Sequence, residues 1–382
     1  MKVYAHRPYI TYLNETLTYG QVRTQVLSLA YFLRRECFVR AGDKVAIISR
    51  NVPEFIAAHW AIHLLGAVCV PINAQGKSDL LKFCVQDVDA RAVICDAERY
   101  ALLAQDDGLD SLLGIRGAKL QAGVQGAGGR ASLERVIVIP RGNPKSHSGT
   151  NDKVPTDQRA WISEDSCVDY DETVAACEQH AQADWEQNNG ENIPQAQADD
   201  LCTMLFTSGT TGLPKAVMDT QRQYLSCLAV AAAGASRIML RRGWALPDPT
   251  DNKDEDQAAL LICVPLFHTS GLQSGVLLGT AGGAHLLLLP RWDVNLAVEM
   301  VNRIKATNLI GVAFMLRELS MSGKSMPSLR SLGHGGASPS TSLPEDVKKS
   351  MPGAGAGLGQ GYGATETQGT AGESRCFEMA DP

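Results

Sequence analysis

No CxxC pair and no regular cysteine framework occurs among the ten cysteines of this 382-residue chain. A disulfide-built secreted scaffold is thereby excluded. Cys69, Cys95, Cys202 and Cys263 lie in apolar, strand-like runs, where a thiol behaves as a small buried apolar group. That pattern fits a reducing compartment. The N-terminus, Met1 to Arg7, lacks the apolar stretch of a signal peptide. Basic residues are not in excess: 35 Lys/Arg stand against 41 Asp/Glu, a net charge of −6, so no broad nucleic-acid-binding face is expected. Charged residues make up 20% and apolar residues 45%, which rules out a disordered, collagenous or coiled-coil chain. There is no internal repeat. From Ala258 to Pro290 no Asp, Glu, Lys or Arg appears. That length would permit a membrane helix. Pro265, His268 and five glycines interrupt it, so a strand, loop, helix and strand in a buried sheet are expected instead of a transmembrane span.

What charge there is lies unevenly. Residues 151–200 hold thirteen acidic and two basic residues, leaving 33 basic against 28 acidic elsewhere. A mildly basic body with an acidic insert suits an anionic small ligand. Around that insert the chain alternates strand-like and helix-like segments. A helix opens at Leu17–Gly20 and ends near Arg35. Strands are expected at 44–50, 68–71, 92–95, 135–139 and 201–206, with helices from Phe55 to Leu65 and over 78–87. Asn51 is placed to cap the first of these two helices, and Pro53 is tolerated in its first turn. Beyond a second acidic loop, the spacing predicts strands at 260–264, 284–289, 308–312 and 329–333, and helices at 272–279 and 294–306. Such alternation predicts an α/β fold of mostly parallel sheets packed with helices. Residues 141–200 break the rhythm and read as an acidic, poorly structured insertion.

The strongest chemical signal is Thr207-Ser208-Gly209-Thr210-Thr211-Gly212-Leu213-Pro214-Lys215, directly after a strand. Glycines let backbone N–H groups turn toward a bound anion. Hydroxyls add donors and the lysine adds a point charge. Hydrogen bonds to charged groups are worth about 1.5–3 kcal/mol each, so a handful can hold a triphosphate. The spacing is not that of a Walker loop. Gly323-Lys324-Ser325 mimics the end of one, but Glu318 stands where its glycine belongs. Gly359 to Ala364 formally fits a dinucleotide fingerprint, which Thr365-Glu366 explains better. His59 and His63, four apart on one helix, could share a metal, but no third ligand is suggested and they read as buried core residues. Cys167, Cys177 and His180 lack a usual zinc spacing. No G-x-S-x-G elbow is present.

Residues 207–215 resemble the phosphate loop of the adenylate-forming superfamily, which includes acyl- and aryl-CoA synthetases, luciferases and peptide-synthetase adenylation domains. Pro265 to Gly271, then Gly335-Gly336-Ala337, then Gly361-Tyr362-Gly363-Ala364-Thr365-Glu366 resemble its later motifs, in order. Leu17-Thr18-Tyr19 and Gly42 to Asn73 resemble its start. The resemblance implies that Thr207, Ser208, Gly209, Thr210, Thr211, Gly212 and Lys215 hold phosphate, with Lys215 serving pyrophosphate. It implies that Gly335, Gly336, Ala337, Gly361, Tyr362 and Gly363 hold the adenosine part. Thr365 would donate to a phosphate oxygen, Glu366 would ligate Mg²⁺, and His268 would lie beside the substrate carboxylate or the acyl tunnel. On this reading residues 207–215 and Thr365-Glu366 grip one ATP. A carboxylic acid, ATP and coenzyme A are the implied reactants.

Some positions depart from the pattern. Ala216 replaces a usual glycine, Gln221 a common histidine, and Ala313-Phe314 a common Pro-Thr. The family's later T-G-D segment, its hinge and its C-terminal lid domain with the adenylation lysine are absent. The chain is therefore read as the large AMP-binding N-terminal domain over residues 1–382, with its C-terminal subdomain missing. Val312, Ala313, Phe314 and Met315 are apolar, favouring a fatty or aryl acid over an amino acid. A catalytically incompetent nucleotide-binding paralogue and an amino-acid-activating domain are the alternatives. A cytoplasmic location is expected. Ala380-Asp381-Pro382 is not a peroxisomal signal, and peroxisomal delivery stays open if residues follow Pro382.

Overall fold

Uninterrupted apolar runs, such as 92–95 and 136–139, can be strands only where both faces of a sheet are covered. The computed structural model describes residues 3–105, 109, 112, 133–142, 152–159, 161, 166–187, 194–208, 212–241, 243, 245–246, 257–355, 357–367 and 372–375. Its strands begin with β1 (Pro8–Tyr12), β2 (Glu15–Thr18), β3 (Lys44–Ile48), β4 (Val68–Pro71) and β5 (Ala92–Asp96). They continue with β6 (Arg135–Ile139), β7 (Cys167–Asp169), β8 (Leu201–Thr207), β9 (Lys215–Thr220) and β10 (Ala259–Ile262). The last are β11 (His285–Leu288), β12 (Asn308–Gly311), β13 (Ser331–Gly335), β14 (Leu358–Tyr362) and β15 (Gly372–Arg375).

The chain divides into two compact units. One comprises residues 21–50 and 54–221, the other residues 1–20, 51–53 and 222–382. The first is built on a seven-stranded sheet, ordered β7-β6-β5-β3-β4-β8-β9, parallel except for β9. Its central strands are buried along nearly their whole length. Helix Pro53–Leu64, apolar all round, is buried as its composition requires. Leu81, Cys84 and Val85 of helix Ser78–Asp87 join Val68, Val93 and Val136 of the sheet in one core.

The second unit is built on an eight-stranded sheet, ordered β15-β14-β13-β12-β10-β11-β1-β2, with β1 and β10 through β14 parallel and β2 and β15 antiparallel at the edges. Helix Val294–Ile304 lays Ala297, Met300 and Val301 on Leu261, Leu287 and Leu309. The charge-free stretch Ala258–Pro290 becomes β10, a π-helical segment Ser270–Leu277, a short helix Leu278–Ala281 and β11, as its punctuation predicts.

The acidic insertion corrects the sequence reading. Within 141–200 lie β7, paired in parallel with β6, and the eighteen-residue helix Tyr170–Gln187. Several of its described acids have partners. The Asp169 carboxylate accepts from the backbone N–H of Asp171 and Glu172, from Trp161 Nε1 and from Arg159. That caps the helix at its positive end. Asp152 and Glu54 share the buried Arg141 guanidinium, and Asp184 pairs with Arg34. Residues 143–151, 160, 162–165 and 188–193 lie outside the described part. A second helix, Gln221–Arg241, went unforeseen. Among the described residues it alone is long and apolar enough for a membrane span by length and composition. Arg222, Arg237 and Arg241 lie along it.

Candidate active site

In the seven-stranded unit the hydroxyl-rich segment joins β8 to the antiparallel β9. Thr207 and Lys215 are Cα partners, and Thr207 Oγ1 donates to the Lys215 carbonyl at 3.4 Å. Lys215 therefore opens a strand and does not lie within the loop. Its side chain is exposed, as are Ser208, Gly212 and Leu213. Gly212 has φ +91°, a left-handed conformation that glycine adopts without strain. Gly209, Thr210 and Thr211 lie outside the described residues.

In the eight-stranded unit the remaining motifs occupy one edge. Strands β10, β12, β13 and β14 are neighbours and run parallel, so their C-terminal ends lie side by side. Those ends lead into Pro265 to His268, Val312 to Met315, Gly335 to Ala337 and Gly361 to Glu366 respectively. The C-terminal edge of a parallel sheet is where open α/β folds bind ligands. Gly335 and Gly361 are direct partners, and a Cβ at Gly335 would fall 2.9 Å from the Gly361 carbonyl oxygen. Only glycine lets these two backbones pack so closely. Gly336 follows at φ +81° with open space around it, and Gly336 and Ala337 are exposed. Tyr362 is 79% exposed, leaving its ring face open for stacking.

Thr365 and Glu366 sit on a single tight turn, Thr365–Thr367. The Thr367 hydroxyl closes it, accepting from Ala364 N–H at 2.9 Å and donating to the Ala364 carbonyl at 3.1 Å. Glu366 is exposed, and no cation pairs with it among the described residues. A free, hard carboxylate beside a hydroxyl fits Mg²⁺, which takes one or two carboxylates together with phosphate oxygens.

His268 is exposed. Its backbone N–H donates to the Pro265 carbonyl, its carbonyl accepts from Leu272 N–H, and its ring lies 4.7 Å from the Phe267 ring. Desolvation by the surrounding loop still lowers its pKa. At neutral pH the imidazole is therefore a neutral donor or acceptor, not a cation. Gly271 is compulsory in this segment, since a Cβ there would come 2.2 Å from the Pro265 carbonyl oxygen.

Sequence reasoning missed two residues here. The side chain of Asn51, which the sequence offers as a helix cap, binds a distant segment. Its amide donates to the Val264 carbonyl and its oxygen accepts from Leu266 N–H, both at 2.9 Å. It thus clamps the backbone that leads into His268. An Asn just before a proline-opened helix looks like a cap in the sequence, and only the fold brings residue 264 to it. His334, next to Gly335, is 4% exposed, and burial lowers its pKa. Neither ring nitrogen has a hydrogen-bond partner among the described residues.

A family model described as AMP-binding enzyme matches residues 1–381. The chain is 26% identical over 366 residues to 4-coumarate–CoA ligase 4 of Arabidopsis thaliana, covering 94% of this chain and 53% of that one. It is 25% identical over 358 residues to 2-succinylbenzoate–CoA ligase of Bacillus velezensis, covering 93% and 55%. The chain thus spans about half the length of the curated relatives it matches. Among solved structures, it resembles the anthranilate CoA ligase AuaEII in complex with anthranoyl-AMP, with a TM-score of 0.70 at 17% identity, covering all of this chain and 61% of that one. It also resembles the o-succinylbenzoate coenzyme A synthetase MenE of Bacillus subtilis in complex with AMP, with a TM-score of 0.65 at 21% identity, covering 98% and 60%. These likenesses match the two-sheet fold. With the family model running across nearly every residue, the chain belongs to the AMP-binding enzymes.

Proposed function

We propose that this chain supplies the acid- and nucleotide-binding part of an ATP-dependent acid–CoA ligase acting on an aromatic carboxylic acid. The observation that carries this reading is the alignment of four motif-bearing segments along the C-terminal edge of β10, β12, β13 and β14. The substrate carboxylate oxygen attacks the α-phosphorus of ATP. The bond to the leaving pyrophosphate breaks, and an acyl-adenylate forms. The thiol of coenzyme A then attacks the acyl carbon and displaces AMP.

The first step brings two anions together, so fixed positive charge and oriented donors are what it needs. Lys215, Thr207, Ser208, Gly212 and the intervening Gly209, Thr210 and Thr211 supply these for the phosphates. Gly335, Gly336, Ala337, Gly361 and Gly363 let the nucleotide approach backbone, and the exposed Tyr362 ring stacks on adenine. Thr365 donates to phosphate. Glu366 would hold Mg²⁺, which when bound neutralises phosphate charge. His268, neutral at pH 7, positions the acid by hydrogen bonding.

Residues and relatives together support this acid class. Val312, Ala313, Phe314 and Met315 at the end of β12 are apolar, and Phe314 is 62% exposed, ready for a ring. The two curated relatives and the AuaEII ligase described above are named for aromatic acids: 4-coumarate, 2-succinylbenzoate and anthranilate. The test is calorimetric binding of ATP to the whole chain, followed by acid-dependent ATP–pyrophosphate exchange with aromatic and fatty acids. ATP binding, with exchange driven by an aromatic acid, is expected. Failure to bind ATP overturns the reading, and exchange with fatty acids alone overturns the aromatic assignment.

A further inference from the structure

Helix Pro53–Leu64 carries His59 and His63 one turn apart, so both imidazoles lie on the same face. Strand β4 brings Cys69 to that face. One ring nitrogen from each histidine and the Cys69 sulfur all lie within 4.8 Å of one another. The third ligand that the sequence did not suggest is therefore supplied by the chain's return through the sheet. The two imidazoles meet edge to face, 4.4 Å between centroids and 62° between planes, so they are not stacked face on face. Strand β8 pairs beside β4 through Thr203, whose hydroxyl lies 3.5 Å from His63 Nε2.

We propose that His59, His63 and Cys69 form a binding site for a thiophilic d¹⁰ cation, Cu⁺ or Zn²⁺, in the core of the seven-stranded unit. Two imidazoles and one thiolate are ligands that such ions prefer over oxygen-seeking Mg²⁺ or Ca²⁺. Bonds of about 2.0–2.1 Å to nitrogen and about 2.3 Å to sulfur put ligand atoms roughly 3.3–3.8 Å apart. The cluster therefore needs to contract by about 1 Å. His63, half-buried and one residue from the helix end, is the member with room to do this. It also provides the route in, since His59 and Cys69 are fully buried.

Charge balance separates the two candidate ions. Burial lowers the pKa of both imidazoles, His63 to about 4, so each keeps its lone pair at pH 7. The Cys69 thiol would release its proton to solvent on binding, a step that its burial opposes and the metal–sulfur bond has to offset. Two neutral imidazoles and a thiolate leave Cu⁺ electrically neutral and Zn²⁺ with one net positive charge. A dry interior penalises that residual charge, so Cu⁺ is the better-matched occupant. Bound there, the ion would tie helix Pro53–Leu64 to β4 beside β8, the strand that ends at Thr207.

The whole reduced chain is titrated anaerobically with Cu⁺ alone and with Zn²⁺ alone, each against a competing chromophoric chelator. One equivalent of Cu⁺ is expected, bound more tightly than Zn²⁺. X-ray absorption on the wild-type complex should show one sulfur and two nitrogen neighbours. Cys69→Ser and His63→Leu, checked for folding by circular dichroism, should each weaken binding on the order of 100-fold, the upper range for losing even a supporting partner of a metal ligand. Cys202→Ser should leave affinity unchanged, because Cys202 donates to the Asp219 carbonyl and is not a ligand. Failure of the wild-type chain to bind either ion overturns the site. So does a coordination shell without sulfur, and so does full affinity in a folded Cys69→Ser chain. A wild-type shell of one sulfur and two nitrogens upholds it even if the variants fail to fold.

Discussion

The two sheets differ most at their strand ends. In the seven-stranded unit, β4 and β5 are buried at every position, with Val, Ile, Cys and Ala filling both faces. In the eight-stranded unit, β13 and β14 carry Gly333, Gly335, Gly359 and Gly361, and burial fades toward Tyr362. Full-length apolar strands maximise the area removed from water. A strand that ends in glycine forgoes that area and leaves backbone within reach of a ligand. The buried strands of the first sheet serve packing along their whole length, and on the proposed function the second sheet would lend its C-terminal edge to the ligand.

That contrast makes ranked predictions. The largest is structural: Phe55→Ala, at a fully buried position of helix Pro53–Leu64, should cost about 3–5 kcal/mol of stability by urea unfolding. A loss under about 1 kcal/mol would show that this unit is not the dense core described. Next, Lys215→Ala should leave the unfolding midpoint unchanged, because its side chain is exposed, while slowing acid-dependent ATP–pyrophosphate exchange by about 10²–10³. Unchanged exchange would separate the β8–β9 hairpin from phosphate chemistry.

Gly335→Ala tests the opposite sheet. The added methyl meets the Gly361 carbonyl, and overpacking of this kind costs about 1–3 kcal/mol. Weakened ATP binding, read by calorimetry, should accompany it, whereas Val93→Ala in β5 should lower stability and leave ATP affinity alone. Asn51→Ala removes both hydrogen bonds to the Val264–Leu266 backbone and should cost about 1–3 kcal/mol. Its kinetic mark is a raised KM for the acid, which a stability defect alone would not produce.

The smallest effect per residue is spread over both units. Burial holds His63 in one and His285 in the other at a pKa of about 4. In the unfolded chain a histidine takes up its proton near 6.5. Between those values the unfolded chain binds more protons, so stability is complete above about pH 7 and falls as pH drops toward 4. A loss on the order of 1–2 kcal/mol per histidine is expected between pH 7 and pH 5. His285→Gln, which retains a partner for Thr11 Oγ1, should reduce the dependence by roughly a third, because buried His59 and His63 contribute as well; an unaltered slope would assign it to other groups.

Much of this was legible from local pattern. Strands β4 and β6 and helix Ser78–Asp87 match the sequence reading to the residue, because apolar runs between turn residues and a heptad-like stripe are local signals. The helices Gln221–Arg241, Ala313–Met321 and Leu343–Ser350 escaped it. The first is apolar without a clear stripe, the second follows a strand with no turn residue between, and the third is short and charged. The insertion helix Tyr170–Gln187 escaped because few of its residues are buried and its stability leans on the Asp169 cap and the Arg34–Asp184 pair.

By itself the sequence determined the order of the motifs, the α/β alternation and the family, since spacing and residue type are written along one dimension. Tertiary structure alone decided which motifs share an edge. Gly335 meets Gly361 only because β13 and β14 pair, Asn51 reaches residue 264 only because two distant segments dock, and Cys69 joins His59 and His63 only because β4 returns past the preceding helix. The reason is physical: strand order and docking come from burying apolar faces between residues far apart in the chain, and no local period encodes which face meets which.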